Sequence, residues 1–544
     1  MTTQLLRRVI RKGSAVMILT GLLAFGAVGK AAAGTKPSGG GGGSHPSGGG
    51  SHPSGGGSHP SFGGTHGPSG GGSHGPTTGG SHGPTTGGTH GPTTGGSHGP
   101  TTGGASHGPT TGGSHGPTAG GATHGPTGGG NHTATGHIAP KGSSTHVAKN
   151  GGAITRRPNG RVSDVHDPKR GMDVHHGLNG NRRVSVERPD HSRIYGERGR
   201  PGYVQRPYNY HGRDFGRRSY YYHGHEYSRF YRGYGYRGLH LDVYAPGVYF
   251  APGFYGWAYN PWVSPISFGW GWGGAPWYGF YGGYFAPYPV YPSAAFWLTD
   301  YMISQDLQTA YAAHQEAGEV DGAQSSADSG GPALTPDIKQ QIADEVKGQL
   351  ALENQEAQQN AAQQDTDPGS SGIARMLADG HKHVLVVGSA LDVTDSNQNE
   401  CALSDGDVLA LTNPPPADAT TADLTVLASK GGNECAKSTT VTVQLTDLQE
   451  MQNHMRELID QGLQELQSKQ GKGGIPQAPP SAQAQPAPAQ YAEIAPPEDP
   501  NVATEVQQQT QQADQAETDV SNDTAQSSAT PDASTTPDAP PSSN

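Results

Sequence analysis

Residues 161–187 read RVSDVHDPKRGMDVHHGLNGNRRVSVE. Three short runs stand out in it, Arg161–His166, Met172–His176 and Arg182–Glu187, with Asp-Pro and Leu-Asn-Gly-Asn between them. Pro-Asp-His follows the third run, and a fourth, Arg217–Tyr222, lies further on. Turn signals every eight to twelve residues predict an antiparallel meander, because each run is long enough for one strand and each break suits a tight reversal. Tyr220, Tyr221, Tyr222, Tyr227, Tyr231, Tyr234 and Tyr236 supply rings for cross-strand packing. The expected module is a basic, Tyr/Arg/Gly-rich β meander over 156–242.

Charge sets this region apart. Residues 141–240 carry twenty Lys/Arg against eight Asp/Glu, net +12, whereas 301–544 carry nine against thirty-six, net −27. Two readings follow. In one, a cationic aromatic surface meets an anionic partner: an envelope polymer, a membrane surface or a protein. Arg217, Arg218, Tyr220, Tyr221, Tyr222, Arg229, Tyr231 and Arg232 form its contact cluster. In the other, the basic block neutralises the chain's own acidic half. Arg among Gly and Tyr also suits nucleic acid, but an export signal leaves only extracellular DNA as that ligand.

From Val243 to Thr299 there is no charged residue, and all six Trp lie there. Pro246, Pro252, Pro261, Pro265, Pro276, Pro287, Pro289 and Pro292 forbid a continuous helix and disfavour central strands. Such rings either stack on sugars, sit at a membrane interface or collapse onto the meander. Ser293 caps a helix running to about Gln315, so the aromatic Gly/Pro-rich block spans 243–316. The stretches Phe254–Trp262 (FYGWAYNPW), Tyr278–Ala294 (YGFYGGYFAPYPVYPSA) and Phe296–Met302 (FWLTDYM), with Asp164–His176 and Arg182–Tyr210, resemble a group of uncharacterised exported bacterial envelope proteins. The resemblance covers roughly 156–315 and, more loosely, 335–470. It implies an envelope setting, and no functional residue carries over.

After a linker (317–334), Thr335 caps a helix over 335–364 with Pro336 in its first turn and Ile338, Ile342, Val346 and Leu350 as its stripe. In 372–470, Val384–Val387 with Leu391–Val393, Val408–Leu411, Leu424–Ala428 and Val441–Leu445 read as strands. Thr446 and Gln449 suggest a capping box for a following helix. The module is α+β: a small β-barrel or sandwich with flanking helices, tied by a Cys401–Cys435 disulfide. In an exported protein an isolated cysteine pair usually bonds, and a loop of this length contributes ~3–4 kcal/mol. Residues 471–544, rich in Pro, Gln, Ala and acid, show no core-forming pattern and are expected to be a disordered tail.

The N-terminus has Arg7, Arg8, Arg11 and Lys12, then apolar Ala15–Val28, then Ala31-Ala32-Ala33. This is the pattern of a cleaved signal peptide over 1–33. As a helix the apolar run would span only ~21 Å, short of a ~30 Å hydrocarbon core. No spanning helix is expected after cleavage, and the protein is placed in the periplasm, outer envelope or medium. Residues 34–155 form a Gly/Ser/His/Pro/Thr repeat tether, with thirteen His and no Asp, Glu, Lys or Arg between Pro37 and Pro140. No repeat position is apolar enough to bury, so nothing offsets backbone entropy. His74, His82, His90 and His98 are candidates for weak divalent transition-metal binding, and their shared pKa near 6.5 makes a pH-responsive role the alternative function.

Catalytic motifs are missing: no Gly-x-Ser-x-Gly, His-Glu-x-x-His or phosphate-cradling loop occurs. His175-His176, His223-x-His225 and His381-x-His383 each start a metal site without a third ligand at a telling spacing. The expectation is a non-enzymatic, structural or adhesive envelope protein with no cofactor.

Overall fold

The computed structural model describes residues 137–317, 333–431 and 434–529. The expected signal peptide and the repeat histidines His74, His82, His90 and His98 lie outside the described residues, as does most of the expected 317–334 linker.

The meander is there, and it is longer than expected. Ten strands follow one another in sequence order, each antiparallel to the last. They are β1 (Ser144–Val147), β2 (Ala153–Arg156), β3 (Val162–Asp167), β4 (Met172–His176), β5 (Arg182–Glu187), β6 (Arg193–Glu197), β7 (Gly202–Tyr210), β8 (Arg213–Tyr222), β9 (His225–Tyr236) and β10 (Leu239–Ala245). β1 and most of β2 thus lie inside the stretch read as tether. The turns follow from local chemistry. Gly171 has φ +58°, and a Cβ there would stand 2.3 Å from the Glu187 carbonyl oxygen, so only glycine fits.

Alternation gives the sheet two unlike faces. Ile154, Val165, Val174, Val184, Val186, Ile194 and Val204 form an apolar face. Asp164 and His175 are cross-strand partners on the other.

Beyond β10 come β11 (Val248–Tyr249), α1 (Pro252–Tyr259), α2 (Pro276–Phe280) and α3 (Ala294–Ala317). Next are α4 (Pro336–Ala361), where Thr335 accepts a hydrogen bond from the Ile338 N–H as a cap should, and the single turn α5 (Ile373–Met376). A second sheet holds β12 (His383–Val386), β13 (Leu391–Asp395), β14 (Glu400–Leu403), β15 (Val408–Leu411), β16 (Thr421–Ala428) and β17 (Thr440–Gln444). Its order, β12-β15-β16-β17-β13-β14, is an open antiparallel sheet and not the closed barrel offered as one reading. Cys401 in β14 bonds Cys435 with Cα atoms 5.0 Å apart.

Helix α6 (Leu445–Lys469) starts one residue before the expected Thr446. The capping box does not form. Gln449 instead turns inward, and its Oε1 accepts from the Ile373 N–H at 2.9 Å, capping α5.

The meander, the aromatic block and the disulfide-tied module share a core. One core runs from Phe215 and Leu241 of the meander through Phe254, Trp277, Phe285 and Trp297 to the second sheet, α6 and Tyr491. Most rings of the aromatic block therefore collapse inward, as the packing alternative held.

The reading of the C-terminal stretch changes over 471–529, and 530–544 lie outside the described residues. After β18 (Ala487–Pro488) and α7 (Gln490–Glu493), helix α8 (Val502–Ala529) lies along the meander. Val502, Ala513, Ala516 and Val520 close the apolar face of β2–β7. Five small apolar residues, counting Val506, make a stripe too thin to register in composition, yet they meet a sheet face of valines that has no other cover among the described residues. Among these residues no helix is long and apolar enough to cross a membrane.

Candidate functional site

The arginine–tyrosine cluster is mostly internal. Arg218 is buried, donates to both Glu450 oxygens at 2.7 and 2.9 Å, and lies 3.8 Å over the Tyr231 ring. Arg232 is buried beside Glu356 at 3.5 Å. Arg217 pairs with Glu498 at 2.8 Å, and Arg229 donates to the Ser228 carbonyl. Tyr220 and Tyr231 share a hydroxyl hydrogen bond, Tyr231 also donates to Glu457, and the Tyr222 hydroxyl reaches the Gly199 carbonyl. Only Tyr221 is exposed. Charges this deep need partners: α4 supplies Glu356 to Arg232, and α6 supplies a row of acids on its face opposite the core. Glu450, Glu457 and Asp460 meet Arg218, Tyr231 and Tyr244 there. Asn453 completes the seam by bonding the Tyr244 N–H and the Asp242 carbonyl along the free edge of β10.

Helix α8 does the same for the other end of the meander. Asp514 and Glu517 hold Arg182, Asp519 holds Arg170 and Asp523 holds Lys169. The charge asymmetry of the sequence is met within the chain.

A second feature is a buried group at the join of the two sheets. It contains His137 before β1, Arg157 after β2, Asp164 in β3, His175 in β4, Asp392 in β13 and Glu400 in β14. His137 Nδ1 lies 2.8 Å from Asp164, and its Nε2 lies 2.8 Å from Glu400. His175 Nδ1 lies 2.8 Å from the other Asp164 oxygen, and its Nε2 lies 3.2 Å from Asp392. Arg157 donates to Asp392 at 2.8 Å and to both oxygens of Glu400 at 2.7 and 2.9 Å. Burial opposes charge on His137, but Asp164 and Glu400 outweigh it and raise the ring to about 9. Burial likewise opposes the Asp164 carboxylate, and the two imidazoles hold it well below its usual range. Two triads, His137 with Asp164 and His175, and His137 with Asp392 and Glu400, each bring one ligand atom per residue within 4.8 Å of the others.

In each of the other histidine pairs one ring faces a carboxylate. His176 faces Glu517 at 3.2 Å, His223 faces Glu316 at 3.9 Å, and His383 lies between Glu345 at 3.0 Å and Asp379 at 2.9 Å. The Asp405-Gly406-Asp407 turn is also charged: Arg200 pairs with Asp405 and Lys430 with Asp407.

A third feature is an aromatic face built from an uncharged segment, with Lys469 at its side, 5.8 Å from the Phe268 ring that packs edge-on to Trp270. Around 257–280, Trp270 stacks on Trp272 with centroids 4.4 Å apart and on Trp297 at 4.7 Å. Trp270 and Trp272 are half-buried and Val263 is fully exposed. At Gly269, Gly271, Gly273, Gly274 and Gly279 nothing lies within 4 Å of where a Cβ would stand. The rings therefore border open space. By contrast, a cavity of about 20 Å³ beside Arg232, Tyr249 and Tyr491 has room for about one water.

Comparison with protein-family models, with curated proteins and with solved structures finds no match.

Proposed function

We propose that the chain is an exported structural protein of the cell envelope that holds an envelope polysaccharide on the aromatic face around Trp270 and Trp272. The observation that carries this reading is the stacked, half-buried pair itself, bordered by open glycines in a segment with no charge from Val243 to Thr299. Flat rings offer sugar faces a rigid apolar platform without ordering a flexible side chain. The disulfide supports an oxidising compartment, where such bonds persist, and it agrees with the leader-like N-terminus. Arg218 and Arg232 are spent on internal pairs, which supports the aromatic face over the arginines as the adhesive surface.

The test is co-sedimentation of the purified full chain with insoluble envelope polysaccharide. W272A is expected to weaken binding about tenfold, as loss of one ring contact of ~1.4 kcal/mol implies. Binding equal to that of the parent, with near-ultraviolet circular dichroism unchanged, contradicts the reading. Transfer to lipid vesicles but not to polysaccharide would move the partner to the membrane surface. The alternative, a metal- or pH-responsive role, is favoured by one specific observation: the last of the thirteen histidines, His137, enters the buried His/carboxylate group.

A further inference from the structure

The buried group between the sheets has the layout of a metal centre in more than composition. Metal-bound histidines commonly donate the second ring N–H to a carboxylate, which fixes the ring and the tautomer. Both histidines are arranged this way. His137 and His175 each turn Nδ1 toward Asp164, on its two different oxygens, at 2.8 Å. Each turns Nε2 toward a separate carboxylate, Glu400 at 2.8 Å and Asp392 at 3.2 Å. Arg157 grips both of those outer carboxylates, and the Leu178 N–H adds a further hydrogen bond to Asp392 at 3.0 Å.

We propose that His137, Asp164 and His175 bind a divalent transition-metal ion of the zinc class, through the two Nδ1 atoms and the Asp164 carboxylate. Glu400 and Asp392 serve as the outer hydrogen-bond partners of the rings. Imidazole and carboxylate without thiolate suit zinc, copper or nickel. Three protein ligands leave a coordination position for water or an outside ligand. The second triad is the weaker candidate, because Arg157 already occupies Asp392 and Glu400.

The ion would fasten the segment that leads out of the His repeats to β3 and β4, and through the outer carboxylates to β13 and β14. This adds a site to the envelope-protein reading and does not depend on the aromatic face.

The experiment is thermal unfolding of the full chain with and without Zn²⁺, followed by near-ultraviolet circular dichroism of Tyr and Trp. Ion caught by the repeats does not raise the midpoint of the folded body, whereas ion bound in the fold does. A rise of several degrees is expected in the parent, retained in H98Q and lost in H175Q and D164N. No rise in the parent, or a rise retained in H175Q, overturns the proposal. Should both site variants fail to fold, Co²⁺ added to the parent decides. Intense visible bands of a four- or five-coordinate ion support the site, and only the weak bands of octahedral Co²⁺ overturn it.

Discussion

A methyl group on Gly388 would lie 1.9 Å from Cδ2 of His454. That imidazole is wedged so that its Nε2 meets Asp306 Oδ1 at 2.6 Å. Burial opposes charge on His454, but Asp306, with Glu457 and Asp405 behind it, raises the ring to about 9. Burial also pushes the Asp306 carboxyl up, against the pull of His454 and Arg200. Both shifts have one sense: the pair holds its proton more tightly than either group does in water. The folded-state value of His454 is above the ~6.5 of an unfolded chain, so its contribution is complete below that pH and is lost as pH rises through about 9. H454Q should therefore be less stable than the parent near pH 6, by ~1–3 kcal/mol, and the gap should close toward pH 9.5. Urea midpoints across that range check this. A gap that is constant with pH contradicts it.

At the scale of elements, α8 has the largest consequence for its composition. Its valines and alanines are the cover of the meander's apolar face, and its acids answer Lys169, Arg170 and Arg182. A chain ended after Asn501 should expose Val165, Val174, Val184, Val186, Ile194 and Val204. The loss expected is at least ~3 kcal/mol, since a buried Val is worth ~1.5–3 kcal/mol, with aggregation from the uncovered sheet. An unchanged urea midpoint contradicts that role. The same comparison explains which elements were legible. β3, β4 and β5 stood out because Asp-Pro, Leu-Asn-Gly-Asn and Pro-Asp-His punctuate them. β14 did not, because Glu400–Leu403 is four residues long and its first is a charge kept in place by Arg157. α8 was hidden because its fit is to another element's valines. The buried site was half visible. His175 was singled out with His176, but its carboxylate partners come from β3, 11 residues before it, and from β13, 217 residues after it, and no spacing rule joins the two.

At the scale of the whole molecule, a strongly basic segment and a strongly acidic one make a body whose deep charges are paired. Arg157, Arg200, Arg218, Arg232 and Arg456 all find carboxylates within the chain. The surface proposed for a partner is the aromatic face around Trp270 and Trp272. Salt screens surface charge, with a Debye length of only ~3 Å at 1 M, but it does not weaken apolar stacking. The most direct measurement is fractionation of cells expressing the full chain, followed by washing of the envelope pellet in rising salt. Retention through 1 M salt (about that strength suffices for screening), with release of W272A under the same wash, is the predicted result. Release of the parent at moderate salt would contradict the account, because it would mean that the arginines, and not the aromatic face, hold the protein to the envelope.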